Sequence, residues 1–243
     1  MTYKLILDFG NTLKKAAVFQ GDKMLELRST DGDMVQIIEG FRRLYPKFDA
    51  AILSAVVNID LHLLHYLKTN FKFLLFDHQS KTPLINEYAS PETLGKDRLA
   101  AAVGAHLIYP DHNVLVIDAG SSITYEIKSK GGAYCGGAIS PGILMRAKAL
   151  NHFTHQLPLV APLMDVPLIG HDTNSSLLSG IVNGTIAEVR AMIEGFKNQY
   201  DDLKIILTGG DVFYFEKSLK YDIFASENLV LQGLNYILDY NEL

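Results

Sequence analysis

One short pattern occurs twice in the sequence, and this repetition restricts the fold more than any other feature. "LILDFGNT" (5–12) and "LVIDAGSS" (115–122) each pass from an apolar strand through Asp, a spacer and Gly to two small polar residues. Asp8 and Asp118 lie 110 positions apart, which is longer than a solenoid repeat and typical of a duplicated domain. The pattern predicts two similar α/β domains, 1–112 and 113–243, facing each other across a cleft. The last helix is free to pack back on the first domain.

Apolar spacing predicts alternating strands and helices in both halves. In the first half we predict strands at 3–8, 12–20, 24–29, 50–56 and 71–76, helices at 33–45, 59–69 and 96–109, and a polar loop at 77–93. In the second half we predict a strand-turn-strand at 113–127, a hairpin turn at Gly131-Gly132, a helix at 141–150 opened by Pro141, a long helix capped by Asp172 or Thr173, a strand in "LKIILTGGD" (203–211), and helices near 211–219 and 227–240.

Composition excludes several classes of protein. The net charge is -5 with no basic run, which is unlike a surface that binds nucleic acid. A single cysteine, Cys135, excludes an intramolecular disulfide and a cysteine-based zinc finger. We see no signal-peptide pattern and no apolar run long enough to span a membrane. With 48% hydrophobic residues the chain can bury a large core, so we expect a cytoplasmic globular protein.

The first turn has two interpretations when it is taken alone. Asp, Gly and Asn are ordinary turn residues, so a plain hairpin turn explains "DFGNT". The same turn also presents backbone N–H groups and small hydroxyls that can hold phosphate oxygens. In that case Asp8 would orient a hydrated Mg²⁺, and Lys15 would neutralise phosphate charge. Lys14 is adjacent, and the spacing within the turn does not choose between the two lysines.

Two later segments favour the ligand-binding interpretation. "DAGSS" (118–122) would bring a second acid-glycine-hydroxyl turn to the same cleft, although Asp118 could also simply end a strand. "LTGGD" (207–211) places two glycines between a strand and a helix, where the backbone can approach a nucleoside closely. In its order of phosphate turn, phosphate turn and nucleoside turn, the chain resembles the actin-like ATPase and sugar-kinase superfamily. The predicted fold is therefore α/β, with duplicated ribonuclease H-like domains and a central ATP cleft.

The chain resembles the type III pantothenate kinases over nearly its full length. The segments that carry this resemblance are "DFGNTLKK" (8–15), "YASPETLGKDR" (88–98), "DAGSSIT" (118–124), "GGAISPG" (136–142), "DT" (172–173) and "LTGGD" (207–211). The "GKDR" segment best separates this family from its superfamily relatives. The resemblance implies ATP-dependent phosphorylation of pantothenate to 4′-phosphopantothenate, the first step of coenzyme A biosynthesis, with Mg²⁺ and a monovalent cation, K⁺ or NH₄⁺. It also implies a homodimer.

The resemblance assigns roles position by position. Asp97 matches the catalytic base, which would accept the proton of the pantothenate hydroxyl as that hydroxyl attacks the γ-phosphate. The matches to substrate-binding positions are Tyr88, Gly95, Lys96, Asp97, Arg98 and Thr173, the last reaching across the dimer interface. Arg98 could pair with the pantothenate carboxylate. Asp118 matches the ligand of the monovalent cation. The matches to ATP-binding positions are Asp8, Phe9, Gly10, Asn11, Thr12, Leu13, Lys14, Lys15 and Ser121.

Simpler interpretations exist for several of these residues. An acid at a helix start is favoured by the helix dipole, so Asp97 alone would be an ordinary helix-start acid. Ser121 stands where the family commonly has threonine, and it keeps the hydroxyl. His62/His65 and His152/His155 lack a third ligand at useful spacing, so we interpret them as solvated or packed histidines. The run "LAAAVGAH" (99–106) indicates close helix packing. Two other functions stay open, a catalytically idle regulatory relative and another small-molecule kinase of the superfamily.

Overall fold

The structure is a computed structural model that describes residues 2–215 and 218–242. Its strands are β1 (Tyr3–Phe9), β2 (Lys14–Gln20), β3 (Lys23–Thr30), β4 (Phe48–Ala55), β5 (Lys72–Leu75), β6 (Ile85–Asn86), β7 (Val114–Ala119), β8 (Ser122–Lys128), β9 (Ala133–Pro141), β10 (Lys204–Thr208) and β11 (Ile223–Ala225). Its α-helices are α1 (Met34–Leu44), α2 (Leu61–Asn70), α3 (Lys96–Ile108), α4 (Ile143–Phe153), α5 (Thr173–Leu178), α6 (Gly184–Lys197) and α7 (Leu229–Tyr240). Among these helices none is both long and apolar enough to cross a membrane.

The chain divides into two compact units. Unit 1 comprises Met1–Asp111, Lys128–Gly136 and Asn228–Leu243, and unit 2 comprises His112–Ile127 and Gly137–Glu227. The last helix, α7, belongs to unit 1. The domain boundary that we predict from the sequence, at residue 112, stays a prediction.

Unit 1 is built on a mixed five-stranded sheet with the order β3-β2-β1-β4-β5. The first three strands form an antiparallel meander, and β1, β4 and β5 run parallel. Parallel strands need a crossover, and the helices α1 and α2 provide the two crossovers here. Because β1 pairs with both β2 and β4, its carboxyl end is flanked by two neighbouring strands.

Each face of this sheet carries its own hydrophobic core. The side chains of Leu5, Leu7 and Phe9 pack with residues of α1 and α2. Ile6, on the opposite face, packs with residues of α3 and α7. This two-residue alternation assigns every position of β1 to one face or the other. Asp8 therefore lies on the face that α3 and α7 cover.

Glycines let α3 and α7 approach closely. A Cβ atom on Gly233 would lie 1.9 Å from the Ala100 carbonyl oxygen, and one on Gly104 would lie 2.5 Å from the Leu229 carbonyl oxygen. Backbone atoms cannot yield as a flexible side chain can, so both positions require glycine. The predicted close helix packing of "LAAAVGAH" is confirmed, and this packing anchors the helix whose first turn contains Asp97.

Unit 2 has the strand order β11-β10-β7-β8, followed by the second part of β9. β10 runs parallel to both β7 and β11. The pairing of β7 with β10 places Asp118 opposite Thr208. The ends of "LVIDAG" and "KIILTGG" therefore lie side by side at one edge of the sheet. On its other side, the start of β9 pairs with β6, within unit 1.

The structure corrects five details of the predicted elements. The predicted helix at 211–219 is a single 3-10 turn, Val212–Tyr214, and Glu216 and Lys217 lie outside the described residues. The long helix after Asp172 is interrupted by a π-helical segment, Ser179–Asn183. Pro141 ends β9, and Gly142 is the N-cap of α4. The polar loop contains the short strand β6, and β11 was not predicted.

Candidate active site

The first acid-glycine turn is a tight hairpin between β1 and β2. The Gly10 N–H donates to the Leu13 carbonyl at 3.1 Å and closes the loop. Asn11 and Thr12 are exposed at its tip, whereas Asp8 is half-buried in the strand. The Val56 N–H donates to the Phe9 carbonyl at 3.0 Å, which ties the end of β4 to the same edge. The turn therefore presents small polar groups on a well-anchored strand end.

The hairpin register places the two lysines of "TLKK" on opposite faces of the sheet. Lys15 is the cross-strand partner of Asp8, and Lys14 is the partner of Phe9. Directly opposed residues share a face of the sheet. Accordingly the Lys14 ammonium lies 5.7 Å from the centre of the Phe9 ring. Lys15 is on the Asp8 face, and Lys14 is on the opposite face.

Asp97 lies in the first turn of α3, which begins after Gly95. The Arg98 N–H donates to the Asp97 carboxylate at 2.9 Å. A Cβ atom on Gly95 would lie 2.7 Å from the same carboxylate, so a larger residue at the N-cap would displace the Asp97 side chain from this position. Burial raises the pKa of Asp97, although the Arg98 N–H and the Arg98 charge both lower it. A carboxylate with a raised pKa is a stronger proton acceptor.

Arg98 and Tyr88 come together beside Asp97. Arg98 is 7% exposed, and its guanidinium carbon lies 5.6 Å from the centre of the Tyr88 ring. Gly136 has a φ of +92°, and a Cβ atom there would lie 3.3 Å from the Tyr88 ring. Gly136 therefore supports the Tyr88 ring, a role that the glycine pair in "GGAISPG" does not reveal in the sequence. The segments at 88 and 95–98, which were predicted to bind substrate, thus converge in unit 1.

A cavity of about 700 Å³ opens beside the start of α3. Its walls are the residues that follow β4 (55–58) and the segment 92–96 that leads into α3. Gly95 and Lys96 line it, but the Lys96 ammonium donates to the Leu94 carbonyl at 2.9 Å. This cavity is large enough for a small organic substrate.

The second acid-glycine turn is held against the start of α4. The Gly142 N–H donates to the Ser121 carbonyl at 3.2 Å, and a Cβ atom on Gly142 would lie 2.1 Å from the Gly120 carbonyl oxygen. Arg146 reinforces this contact, since its Nε donates to the Pro141 carbonyl at 2.9 Å and its guanidinium pairs with Glu188 at 2.6 Å. The "GGAISPG" segment therefore supports the turn that exposes Ser121.

"LTGGD" packs directly on the second turn. The Asp211 N–H donates to the Ala119 carbonyl at 2.9 Å. Gly209 has a φ of +100°, and a Cβ atom there would lie 2.5 Å from an Asp118 carboxylate oxygen. Any other residue at 209 would displace Asp118. Within unit 2 the phosphate-type turn and the glycine pair thus form one continuous surface.

Thr173 is the first residue of α5 and is exposed. Asp172 caps the helix by accepting from the Ser175 N–H at 2.8 Å, which confirms the predicted helix start.

Several large apolar side chains are exposed in the segment of unit 2 that precedes α5. They are Leu144, Met145, Leu150 and Phe153 on α4 and Leu159, Leu163, Met164, Leu168 and Ile169 in the loop before α5.

The carboxylates of the described residues suit a metal ion that binds together with substrate phosphates. Among residues 2–215 and 218–242 no cluster of three or more His, Cys, Asp or Glu could hold a metal ion. Asp8 instead offers a single half-buried carboxylate near the carboxyl end of β1. Mg²⁺ is commonly held in this way, by one or two carboxylates with several waters and substrate phosphates.

Comparison with solved structures agrees with this architecture. A Campylobacter jejuni protein of the Baf family aligns over 98% of both chains with a TM-score of 0.61 and 23% identity. The inorganic polyphosphate/ATP-glucomannokinase of Arthrobacter aligns over 99% of both chains with a TM-score of 0.54 and 14% identity. Identities this low establish the fold alone. The predicted α/β fold of the actin-like ATPases and sugar kinases is confirmed.

Sequence comparison is more specific. The family model of the type III pantothenate kinases matches residues 4–195. The type III pantothenate kinase of Christiangramia forsetii is 44% identical over 239 residues, covering 98% of both chains. That of Bacteroides fragilis is 42% identical over 240 residues, again covering 98% of both chains. The chain therefore belongs to the type III pantothenate kinase family.

Proposed function

We propose that this protein transfers the γ-phosphate of ATP to the primary hydroxyl of pantothenate, with Asp97 as the general base. The reaction, the first step of coenzyme A biosynthesis, follows from membership of the family over 98% of the chain. The assignment of Asp97 is supported by the contact of its carboxylate with Gly95, which lines the cavity, and by the burial that raises its pKa. Attack by the hydroxyl on phosphorus, with the proton passing to Asp97, needs no covalent enzyme intermediate.

A coupled assay tests this function directly. Purified protein with ATP, a divalent metal and pantothenate should release ADP and form 4′-phosphopantothenate, which mass spectrometry would identify. Omitting pantothenate provides the background ATPase rate. A protein that is folded but forms no product with or without K⁺ would contradict the proposal.

We infer that the two acid-glycine turns bind the phosphates. In unit 1, Asp8 would hold a water of the Mg²⁺·ATP complex, and Lys15, on the same face of the sheet, would neutralise phosphate charge. The register favours Lys15 over Lys14, because Lys14 stacks on Phe9. In unit 2, Ser121 would contact phosphate and Gly209-Gly210 would lie against the nucleoside. The bound metal would neutralise charge that develops on the transferred phosphoryl group.

We propose Asp118 as the ligand of a monovalent cation. Its carboxylate lies against Gly209 at the edge where β7 and β10 end, so a cation there would sit next to the phosphate turn. Activity should therefore rise on replacing Na⁺ with K⁺ or NH₄⁺, and Asp118→Asn should remove this difference. Equal activity in Na⁺ and K⁺ would exclude the cation role.

We also propose a homodimer in which Thr173 reaches the substrate of the partner subunit. The exposed apolar side chains of α4 and the loop before α5 support it, since Phe153 is 82% and Leu168 80% exposed. Large apolar side chains that group on a protein surface mark interaction sites. Sedimentation velocity should show a dimer, and Phe153→Asp should shift it toward monomer.

A further inference from the structure

Ser54 carries a polar group that its surroundings in the sheet do not explain. It is the penultimate residue of β4 and has 0% of its surface exposed. In the part of the chain that the structure describes, its hydroxyl has no hydrogen-bond partner. A hydroxyl that is buried without a partner destabilises a fold, and alanine, which the same strand uses at positions 50 and 51, would avoid this cost.

The register of the sheet gives this hydroxyl a neighbour. Ser54 is the parallel partner of Asp8, and Asp8 is the antiparallel partner of Lys15. Neighbouring strands lie about 4.8 Å apart, so a hydroxyl, a carboxylate and an ammonium form a row across β4, β1 and β2. Ile6 and Ile52, two residues before Asp8 and Ser54, are register partners that pack in the core under α3, so this row lies on the α3 face.

The residues that follow Ser54 lead directly to the candidate site. Residues 55–58, directly after Ser54, line the cavity together with Gly95 and Lys96. The Val56 N–H holds the end of β4 to the Phe9 carbonyl. Ser54 is therefore fixed between the nucleotide turn of β1 and the wall of the cavity.

We propose that Ser54 is a positioning residue for Asp8. Its hydroxyl donates to the Asp8 carboxylate when Mg²⁺·nucleotide binds, and it holds that carboxylate toward a water of the metal. The inference rests on the proposed role of Asp8 at the phosphates. It gives the buried hydroxyl a partner in the nucleotide-bound state, and it explains why the strand contains serine where alanine would pack as well.

Nucleotide binding measured without pantothenate tests the proposal separately from the kinase reaction. Titration calorimetry with ADP and Mg²⁺ should show about tenfold weaker binding for Ser54→Ala, as expected for loss of a hydrogen bond to a charged group. The melting temperature should be unchanged or higher, since the buried hydroxyl is gone. Ser29→Ala is the matched control, because Ser29 is the exposed partner of Lys15 on β3, and it should bind as wild type.

A double-mutant cycle shows whether Ser54 acts through Asp8. In an Asp8→Ala background, Ser54→Ala should cause no further loss of Mg²⁺-dependent affinity. Equal affinity of wild type and Ser54→Ala, or the same loss with and without Asp8, would overturn the proposal even if the kinase reaction is established. If Ser54→Ala does not fold, Ser54→Cys keeps the volume and is expected to show the same loss. A protein that binds ADP as described but does not phosphorylate pantothenate would instead contradict the proposed function.

Discussion

At the scale of single residues, Asp97 lies in the first turn of a helix and is partly buried. Burial has the largest effect on its pKa and raises it. Asp97→Asn keeps the size of the side chain and removes the proton acceptor, so we expect kcat to fall by about 10²–10⁴. The KM for ATP should change little, because the variant leaves both phosphate turns intact. Steady-state kinetics with ATP and pantothenate varied in turn would measure both. A variant with full kcat would remove Asp97 as the base.

The raised pKa of Asp97 also predicts a pH dependence of the rate. Only the ionised carboxylate accepts a proton, so kcat should fall as the pH is lowered through that pKa. The midpoint should lie above 3.8, the ordinary value for aspartate. A pH profile of kcat on wild-type protein would measure the midpoint, and the residual activity of Asp97→Asn should lack this acid limb.

The raised pKa of Asp97 has the opposite consequence for stability: a higher pH favours the reaction but destabilises the folded protein. Because the folded state holds the Asp97 proton more tightly than the unfolded chain, ionisation costs folding free energy as the pH rises through the folded pKa. Asp97→Asn removes this cost at neutral pH. Thermal melts at pH 7 should therefore give an equal or higher melting temperature for the variant, and the gain should vanish at low pH. A markedly lower melting temperature at pH 7 would indicate that the carboxylate stabilises the fold.

Sequence reasoning at the residue scale succeeded where the signal is local. The acid-glycine turns and the cap of α5 are short patterns, and the predicted helix start at Asp172 is confirmed. Ser54 has no such signal, since a hydroxyl inside "AAILSAV" is an unremarkable strand residue. Only the register that pairs it with Asp8 gives it a role, and register depends on strands distant in sequence.

At the scale of elements, the packing of α3 on α7 sets the position of the turn that contains Asp97. Gly233→Ala would bring a methyl group into the Ala100 carbonyl, so we expect a loss of about 1–3 kcal/mol in the free energy of unfolding and a lower melting temperature. Gly195→Ala is the control: it is also a helix glycine, but a Cβ there meets nothing within 4 Å. It should stabilise the protein by about 0.5–1 kcal/mol. If chemical denaturation gave the same change in the free energy of unfolding for both variants, helix propensity and not the backbone contact would determine the effect.

The elements that were predicted wrongly have two physical causes. The segment after "LTGGD" shows helical spacing, yet Val212, Phe213 and Tyr214 have low helix propensity and form only a 3-10 turn. Strands of two or three residues, such as β6 and β11, are too short for any alternation to register. Their existence depends on a neighbouring strand, which a local pattern does not reveal.

At the scale of the whole molecule, duplication was visible in the sequence because both halves keep the same strand-turn-strand unit. The fold that this implies is confirmed by the solved structures. No comparable sequence pattern indicates dimerisation. An apolar side chain such as Phe153 predicts burial somewhere, but only the fold reveals that it lies exposed on α4.

Mixed dimers provide the test of the proposed assembly. If Thr173 completes the partner's site, a dimer of one Asp97→Asn chain and one Thr173→Ala chain has one site with both changes and one site with neither. Co-expression of the two inactive or weakened variants should then restore roughly a quarter of wild-type activity, since about half of freely exchanging dimers are mixed. The heterodimer, purified by means of two different tags, should release ADP at about half the rate of the wild-type dimer, because one of its two sites is intact. If Thr173 acts within its own chain, each site of the mixed dimer carries one change, and the heterodimer would be no more active than the average of the two parent dimers.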